Sequence, residues 1–155
     1  MLRTIKKQKN MKHSFILGFI FLLVTCVSTH ATLHPEVDDL IEKLIIVESN
    51  GNNRAVGDRG RAKGCLQIQR GVIRDVNRYA GTRYTHNDAF NRSKAIQICK
   101  LYMKMYSQVY TKRTGRAPGL RELAYLWNGG PKAMQYPKYA HKRYWSRVLR
   151  VENCS

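Results

Sequence analysis

Apolar residues recur at spacings of three and four positions in the segment that begins near residue 35. This spacing matches the turn of an α-helix and predicts a helix over Glu36–Glu48, which Pro35 is suited to begin. The apolar face of this helix ends just before the polar, glycine-rich segment Asn50–Gly64. The residues expected to share the face are Val37, Leu40, Ile41, Leu44, Ile45 and Glu48.

The rest of the pattern predicts a mainly helical domain with one small β region. The polar segment is expected to form turns and a small hairpin that leads into Cys65–Ile68. Glycine and proline separate the remaining predicted helices, which span Val72–Tyr79, Asp88–Tyr110, Leu120–Trp127 and Tyr139–Val151. The helix that begins at Leu120 is expected to stop at Asn128-Gly129-Gly130-Pro131. We therefore expect an α+β, mainly α, fold in one domain over residues 32–155.

Residues 1–31 have the pattern of a signal peptide. Basic residues without acidic ones surround the start of an apolar run from Ser14 to Val27. This run is shorter than the roughly 20 residues that a membrane-spanning helix needs. Small residues before Ala31 favour cleavage after that residue. We expect a secreted, extracellular or periplasmic protein without a membrane span, the alternative being an uncleaved anchor. Met11 is an alternative start, since Met11-Lys12 supplies a short basic region.

Charge indicates the class of partner. Five of the 28 Lys and Arg residues precede residue 32, so residues 32–155 carry 23 basic and 10 acidic residues, a net charge of +13. Such a surface favours polyanions, among them anionic cell-wall polymers. Nucleic acid is disfavoured, because the sequence has a signal segment and no zinc-finger, basic-zipper or RNA-binding signature. A merely solvated cationic surface is the alternative interpretation, and a monomer is expected.

Cysteines and histidines indicate no metal or cofactor site. Cys65, Cys99 and Cys154 follow the predicted cleavage point. In an oxidising compartment one disulfide and one free thiol are expected among them, and the sequence does not identify the pair. The histidines beyond residue 31 lack metal-ligand spacing, so exposed or structural roles are expected for them. We expect no cofactor.

Glu48 is the strongest candidate for chemistry, because a carboxylate seldom follows so apolar a run unless its burial is useful. Burial disfavours the charged form and raises the pKa of a carboxyl group. The partial negative charge at a helix C-terminus acts in the same direction. Together they produce a proton donor that works near neutral pH, as cleavage of a glycosidic bond requires. A solvated glutamate at a helix end is the structural alternative.

Several segments occur in an order that resembles the lysozyme-like superfamily. They are Glu48-Ser49, Ala55–Ile68, Leu101–Tyr106, Leu126–Pro131 and Tyr144–Val148. The chain is most similar to the invertebrate-type, destabilase-like lysozymes and their bacterial and viral relatives. The soluble lytic transglycosylases are similar in the Glu-Ser, Gly-x-x-Gln and Asn-x-Gly elements. The resemblance covers most of residues 36–150 and implies a lysozyme-like fold, with a small β-hairpin region beside an active-site cleft.

The resemblance also implies roles for individual residues. Glu48 corresponds to the catalytic acid, which protonates the oxygen between N-acetylmuramic acid and N-acetylglucosamine. Asp58 is the candidate second carboxylate of a hydrolase, or else a residue that stabilises its own turn beside Arg59. The residues expected to bind substrate are Ser49, Gln67, Asn128, Gly129 and Tyr144.

Several expected sugar-binding residues have structural alternatives. Asn128 and Gly129 would look the same in sequence if they only capped a helix. Trp127 and Trp145 are candidates either for stacking on sugar rings or for the core.

The sequence thus predicts cleavage of the β-1,4 glycan of peptidoglycan, and it leaves open how many carboxylates take part. A lysozyme-type muramidase would use Glu48 together with Asp58. A lytic transglycosylase would use Glu48 alone and leave 1,6-anhydro ends on its products. A third interpretation, from another class, is a non-catalytic cationic antimicrobial protein that binds bacterial envelopes.

Overall fold

The computed structural model describes residues 35–136, 138 and 142–151. These residues form five α-helices and three short strands: α1 (Pro35–Ser49), β1 (Val56–Gly57), β2 (Ala62–Lys63), β3 (Ile68–Gln69), α2 (Arg70–Ala80), α3 (Arg92–Thr114), α4 (Leu120–Gln135) and α5 (Lys142–Leu149). The expected α+β, mainly α, class is confirmed. The predicted signal peptide and the alternative start at Met11 lie outside the described residues.

Helix α1 supplies the centre of the hydrophobic core. The predicted apolar positions from Val37 to Ile45 are buried, and α1 packs against α4 and α5. Glu36 and Asp38 lie in the first turn, where carboxylates interact favourably with the helix dipole. The helix ends where Asn50 adopts a left-handed backbone, with φ of 53°. Glu48 therefore lies in the last turn, as predicted.

Helix α3 begins later and ends later than the predicted span of Asp88–Tyr110. Asp88 instead belongs to a short 3-10 helix, His86–Phe90, where its carboxylate accepts hydrogen bonds from the backbone and hydroxyl of Thr85. Asn91 then caps α3 by accepting a bond of 3.0 Å from the Lys94 amide. At the other end Gly115, with φ of 76°, terminates the helix. The helical period of the sequence alone could not show that two helices, each with its own cap, follow one another here.

Helix α4 passes through the predicted stop at Asn128–Pro131 and continues to Gln135. The stop sequence is instead a break between two helical segments, because Gly130 takes φ of 72° and ψ of −171°. Glycine adopts this conformation at little cost, and proline is well tolerated where a helical segment restarts. The prediction that the helix stops at Asn128 is therefore wrong, although the helix is broken within the predicted stop sequence, at Gly130.

Two further helix predictions agree in position with the structure. Helix α2 starts two residues before the predicted Val72 and ends at Gly81, whose φ is 65°. Helix α5 lies inside the predicted span of Tyr139–Val151, and its Tyr144 and Val148 are buried. Residues 139–141 lie outside the described residues. No helix in the described ranges is both long enough and apolar enough to cross a membrane.

The predicted hairpin is a three-stranded antiparallel sheet in which β2 lies between β1 and β3. Val56 pairs with Lys63, and Ala62 pairs with Gln69. Immediately after β2, Gly64 approaches the 3-10 helix at His86–Phe90 so closely that a Cβ atom would lie 1.8 Å from the Ala89 carbonyl oxygen. The absence of a side chain at Gly64 is what allows the sheet to pack there.

We predict that Gly64→Ala lowers the free energy of unfolding by about 2–5 kcal/mol, the sum of left-handed backbone strain and an unrelieved contact. Gly60→Ala is the matched control, because Gly60 also has a positive φ, of 86°, but has open space where a Cβ would be. Gly60→Ala should lower the free energy of unfolding by about 1–2 kcal/mol. Chemical denaturation of both variants checks this, and equal losses would mean that the contact with Ala89 is unimportant.

Candidate functional site

A cleft of about 570 Å³ runs between the end of α1, the sheet, the start of α2, the middle of α3 and the break in α4. Its walls combine carboxylates, amides, aromatic rings and glycine backbone. The residues that line it are Glu48, Asp58, Ala62, Gln67, Gln69, Val72, Tyr102, Trp127, Asn128, Gly129 and Gly130. The fold thus brings five of the seven predicted site residues to one surface: Glu48, Asp58, Gln67, Asn128 and Gly129.

Glu48 is the partly buried acid of this cleft. Burial raises the pKa of its carboxyl group above the ordinary value of 4.5, while the hydrogen bond from Tyr144 and the positive charge of Arg147 act in the opposite direction. Burial is the largest of the three effects. The carboxyl group therefore holds its proton to a higher pH than an exposed glutamate does.

Helix α5 holds Glu48 from behind the cleft. The Tyr144 hydroxyl donates a hydrogen bond of 2.6 Å to Glu48 Oε1, and Tyr144 is 3% exposed. Burial, followed by the neighbouring carboxylate, raises the pKa of Tyr144, so its hydroxyl remains a donor. Arg147 donates to the Val47 carbonyl oxygen at 2.6 Å and ties the same helix to the end of α1. One carboxyl oxygen is thereby fixed.

Asp58 lies on the cleft in a strained turn. Asp58 and Arg59 have φ of 48° and 55°, in the left-handed region that side-chain-bearing residues seldom adopt. Arg61 donates a hydrogen bond of 2.5 Å to Asp58 Oδ1 and a second bond of 3.1 Å to the Asp58 carbonyl oxygen. The Asp58 side chain is 40% exposed. The bonds in this turn are donated by Arg61 and not by the neighbouring Arg59.

Gln67 is held rigidly against the sheet. Its φ is 49°, and its Nε2 donates a hydrogen bond of 2.9 Å to the Gly64 carbonyl oxygen. Its Oε1 lies so close to Gly57 that a Cβ on that residue would be 2.1 Å away. The Nε2 end of the amide is therefore held by backbone, and Oε1 occupies the space that a side chain at residue 57 would take.

Aromatic residues of α3 and α4 form another part of the wall. Trp127 is partly buried, and its Nε1 donates a hydrogen bond of 3.2 Å to the Leu66 carbonyl oxygen. Its ring meets Tyr102 edge-to-face, with centroids 6.0 Å apart. Trp127 thus belongs both to the core and to the cleft. Tyr102 also lines the cleft and was not predicted to do so.

Two of the predicted substrate-binding residues are not on the cleft wall. The Ser49 hydroxyl donates to the Cys65 carbonyl oxygen at 2.8 Å, which fastens the end of α1 to the loop before β3. Tyr144 lies behind Glu48 and positions it. Gln69 and Val72, in contrast, line the cleft but were not predicted, because nothing in the sequence shows which face of a two-residue strand or of a first helical turn is turned toward it.

The expected disulfide does not form. Cys65 and Cys99 are free thiols buried in the core, and burial raises the pKa of both, which keeps them protonated and unreactive. Every pairing of the three cysteines would need one of these two. Cys154 lies outside the described residues.

His86 has a structural role. It is buried, with Nε2 lying 2.8 Å from the Ile68 carbonyl oxygen. In the described part of the chain, no group of three or more histidine, cysteine or acidic residues is placed to hold a metal ion.

No protein-family model matches this chain, and no curated protein or solved structure matches it significantly either.

We predict that Glu48→Gln raises the melting temperature at neutral pH. Because the pKa of Glu48 is raised, the folded state binds that proton more tightly than the unfolded chain does, and ionisation above pH 4.5 lowers stability. Glutamine carries no charge and still accepts a bond from Tyr144. The gain should therefore disappear as pH falls below 4.5.

Thermal unfolding of both proteins across this pH range provides the measurement. Glu36→Gln, at the exposed start of the same helix, is the control and should give no gain. A Glu48→Gln protein that is less stable than the wild type at neutral pH would show that Tyr144 and Arg147 outweigh the cost of burial.

Proposed function

We propose that this protein is a lysozyme-type glycosidase that cleaves the β-1,4 bond between N-acetylmuramic acid and N-acetylglucosamine in peptidoglycan. The observation that carries the proposal is the state of Glu48: a carboxyl group on the wall of a cleft, with its pKa raised by burial and one oxygen held by Tyr144. A general acid needs both a retained proton and a fixed direction for its transfer.

In the proposed reaction Glu48 donates its proton to the glycosidic oxygen as the bond to the muramic acid C1 carbon breaks. Oε1 accepts from Tyr144, so Oε2 is the oxygen left to carry the transferred proton. The positive charge that develops on the sugar ring is then stabilised by a carboxylate until a water molecule adds its oxygen to C1 and gives a proton back to Glu48. Asp58, on the same cleft, is the candidate for this second role.

The remaining cleft residues suit a sugar polymer. Gln67, Gln69 and Asn128 offer amide donors and acceptors for hydroxyl and N-acetyl groups. Trp127 contributes an apolar ring surface, and Gly129 permits close approach of a ligand to the backbone. The volume of about 570 Å³ is within the range of small-molecule sites and is open to a chain that extends beyond it.

The pairing of Asp58 with Arg61 favours a second candidate, the lytic transglycosylase. Arg61 offsets part of the negative charge that Asp58 would otherwise present to the cleft. In that reaction Glu48, once deprotonated, would accept the proton of the muramyl 6-hydroxyl as its oxygen attacks C1 and closes a 1,6-anhydro ring. An exposed ion pair is worth only about 0–1 kcal/mol, however, so substrate binding can separate the two side chains. The hydrolase therefore remains the first proposal.

The lysozyme-like fold and a location outside the cell are part of the same proposal. A mainly helical domain with a small sheet beside the cleft supports a lysozyme-like fold. The net charge of +13 over residues 32–155 supports attraction to anionic cell-wall polymers outside the cell. A monomer without cofactor suffices for this chemistry. A non-catalytic cationic protein is the rival interpretation, and it requires no function of Glu48.

We expect Glu48→Gln to reduce cleavage of purified peptidoglycan at least about 100-fold, because no other group would supply the proton. Glu36→Gln, on the same helix but away from the cleft, should retain full activity. Mass spectrometry of the released fragments measures both the rate and the product ends. Full turnover by Glu48→Gln would refute the assignment, while bacterial killing without any cleavage by the wild type would support the non-catalytic rival.

The role of Asp58 is tested by a pair of variants that break the same ion pair. If Asp58 stabilises the transition state, Asp58→Asn should lower the rate about 100-fold, whereas Arg61→Gln should change it only a few-fold. The products should carry reducing ends. Equal, small effects of the two variants, together with 1,6-anhydro ends, would show that Asp58 only supports its turn and that the transglycosylase proposal is correct.

A further inference from the structure

Three arginines form a row along the exposed side of α2. Arg70, Arg74 and Arg78 are each four positions apart and exposed, whereas Ile73 and Val76 on the other side are buried. Four residues of α-helix rise about 6 Å, so consecutive arginines start about 6 Å apart along the surface. We call these three residues the arginine row.

The positive charge of the arginine row is not balanced locally. In the described ranges, no acidic side chain lies within ion-pair distance of Arg70 or Arg78, and Arg74 reaches Asp75 only at 3.8 Å. The other acidic side chains that form ion pairs do so on other elements, in the pairs Asp38–Lys100, Asp39–Lys43, Glu42–Arg92, Asp58–Arg61, Asp88–Lys94 and Glu122–Arg116.

The row borders a second cavity of about 490 Å³, which Arg70 and Arg74 line together with Asn77 and Thr85. Tyr84 and His86 line it as well, and the Asn77 and Thr85 side chains are already engaged. Asn77 bonds to the backbone of Tyr84, and the Thr85 hydroxyl donates to Asp88. The guanidinium groups carry the fixed positive charge of this cavity, and a guanidinium group pairs best with phosphate or carboxylate oxygens.

The second cavity and the catalytic cleft adjoin across the first turn of α2. Gln69 and Val72 line the cleft, while Arg70 and Ile73 line the cavity. The arginine row therefore begins within one helical turn of the cleft wall, in reach of a polymer attached to a glycan in the cleft.

We propose that the arginine row is a binding site for a phosphodiester polymer carried by the peptidoglycan, such as a poly(glycerol phosphate) chain. This inference rests on the proposed function, which places the glycan in the cleft. Successive guanidinium groups would each contact a phosphate, so the site recognises a repeated charge rather than one anion. The arginine row thus places on α2 an attraction for polyanions that the net charge alone would spread over the whole surface.

The test compares two triple variants with the same change in net charge. Arg70→Gln/Arg74→Gln/Arg78→Gln removes the row and keeps good helix formers. Lys104→Gln/Lys112→Gln/Arg121→Gln removes three exposed basic side chains of α3 and α4. Fluorescence anisotropy with labelled poly(glycerol phosphate) over a salt series should show about tenfold weaker binding and a shallower salt dependence for the α2 variant. The control should bind like the wild type.

Equal weakening by the two triple variants would overturn the inference, because net charge would then explain all of the binding. A single-stranded DNA with the same number of phosphates is the competing probe. If it binds the α2 row as tightly as the polymer does, the proposed partner is wrong.

Cleavage assays separate this inference from the proposed function. The α2 variant should cleave polymer-free peptidoglycan at the wild-type rate and show a raised KM only on polymer-bearing peptidoglycan. A wild type that cleaves peptidoglycan but does not bind the polymer would overturn only the proposed polymer site. A wild type that binds the polymer through the row but cleaves neither substrate would overturn the enzyme assignment and, with it, the link to a glycan in the cleft.

Discussion

The hydrogen bond between Tyr144 and Glu48 is the interaction on which the site depends. It joins α1 and α5, two helices separated by most of the described chain, through a carboxyl group whose burial is unfavourable when it is ionised. The bond lowers that cost without removing it, since burial remains the largest influence on the pKa of Glu48. The acid is therefore oriented only when α5 has docked, so completing the fold and positioning the proposed acid are one event.

The opposite wall of the cleft is organised by backbone strain. Asp58, Arg59 and Gln67 all have left-handed backbones within one short segment, which persists only if its surroundings hold it. Hydrogen bonds to the carbonyl oxygens of Cys65 and Leu66 from Ser49 and Trp127 supply part of that support. Gly64 adds the close contact with the 3-10 helix. Groups fixed in this way need little ordering when a ligand binds, which preserves binding free energy.

The spacing of apolar residues predicted the features that depend on one face of a helix. It failed where helix caps or backbone strain determine the local structure. The apolar face of α1 and the burial of Glu48 follow from a 3.6-residue period. The start of α3 did not, because Thr85 and Asn91 cap two consecutive helices with similar residues. The Asp58–Arg61 pair lies in a turn where Asp58 has a positive φ, a conformation that no pattern of apolar residues encodes. Ser49 was predicted to bind substrate, but it donates a hydrogen bond to the Cys65 carbonyl oxygen instead, and that contact depends on how the loop returns to α1.

Charges in the described chain fall into two groups with different physical consequences. Most acidic side chains form exposed ion pairs, and such pairs change stability little. The partly buried carboxyl group of Glu48 and the arginine row of α2 are different, because each leaves charge poorly compensated and so lowers stability at neutral pH. Features that cost stability without improving packing are expected at functional sites. The two lie on adjoining surfaces, as the proposed extended substrate requires.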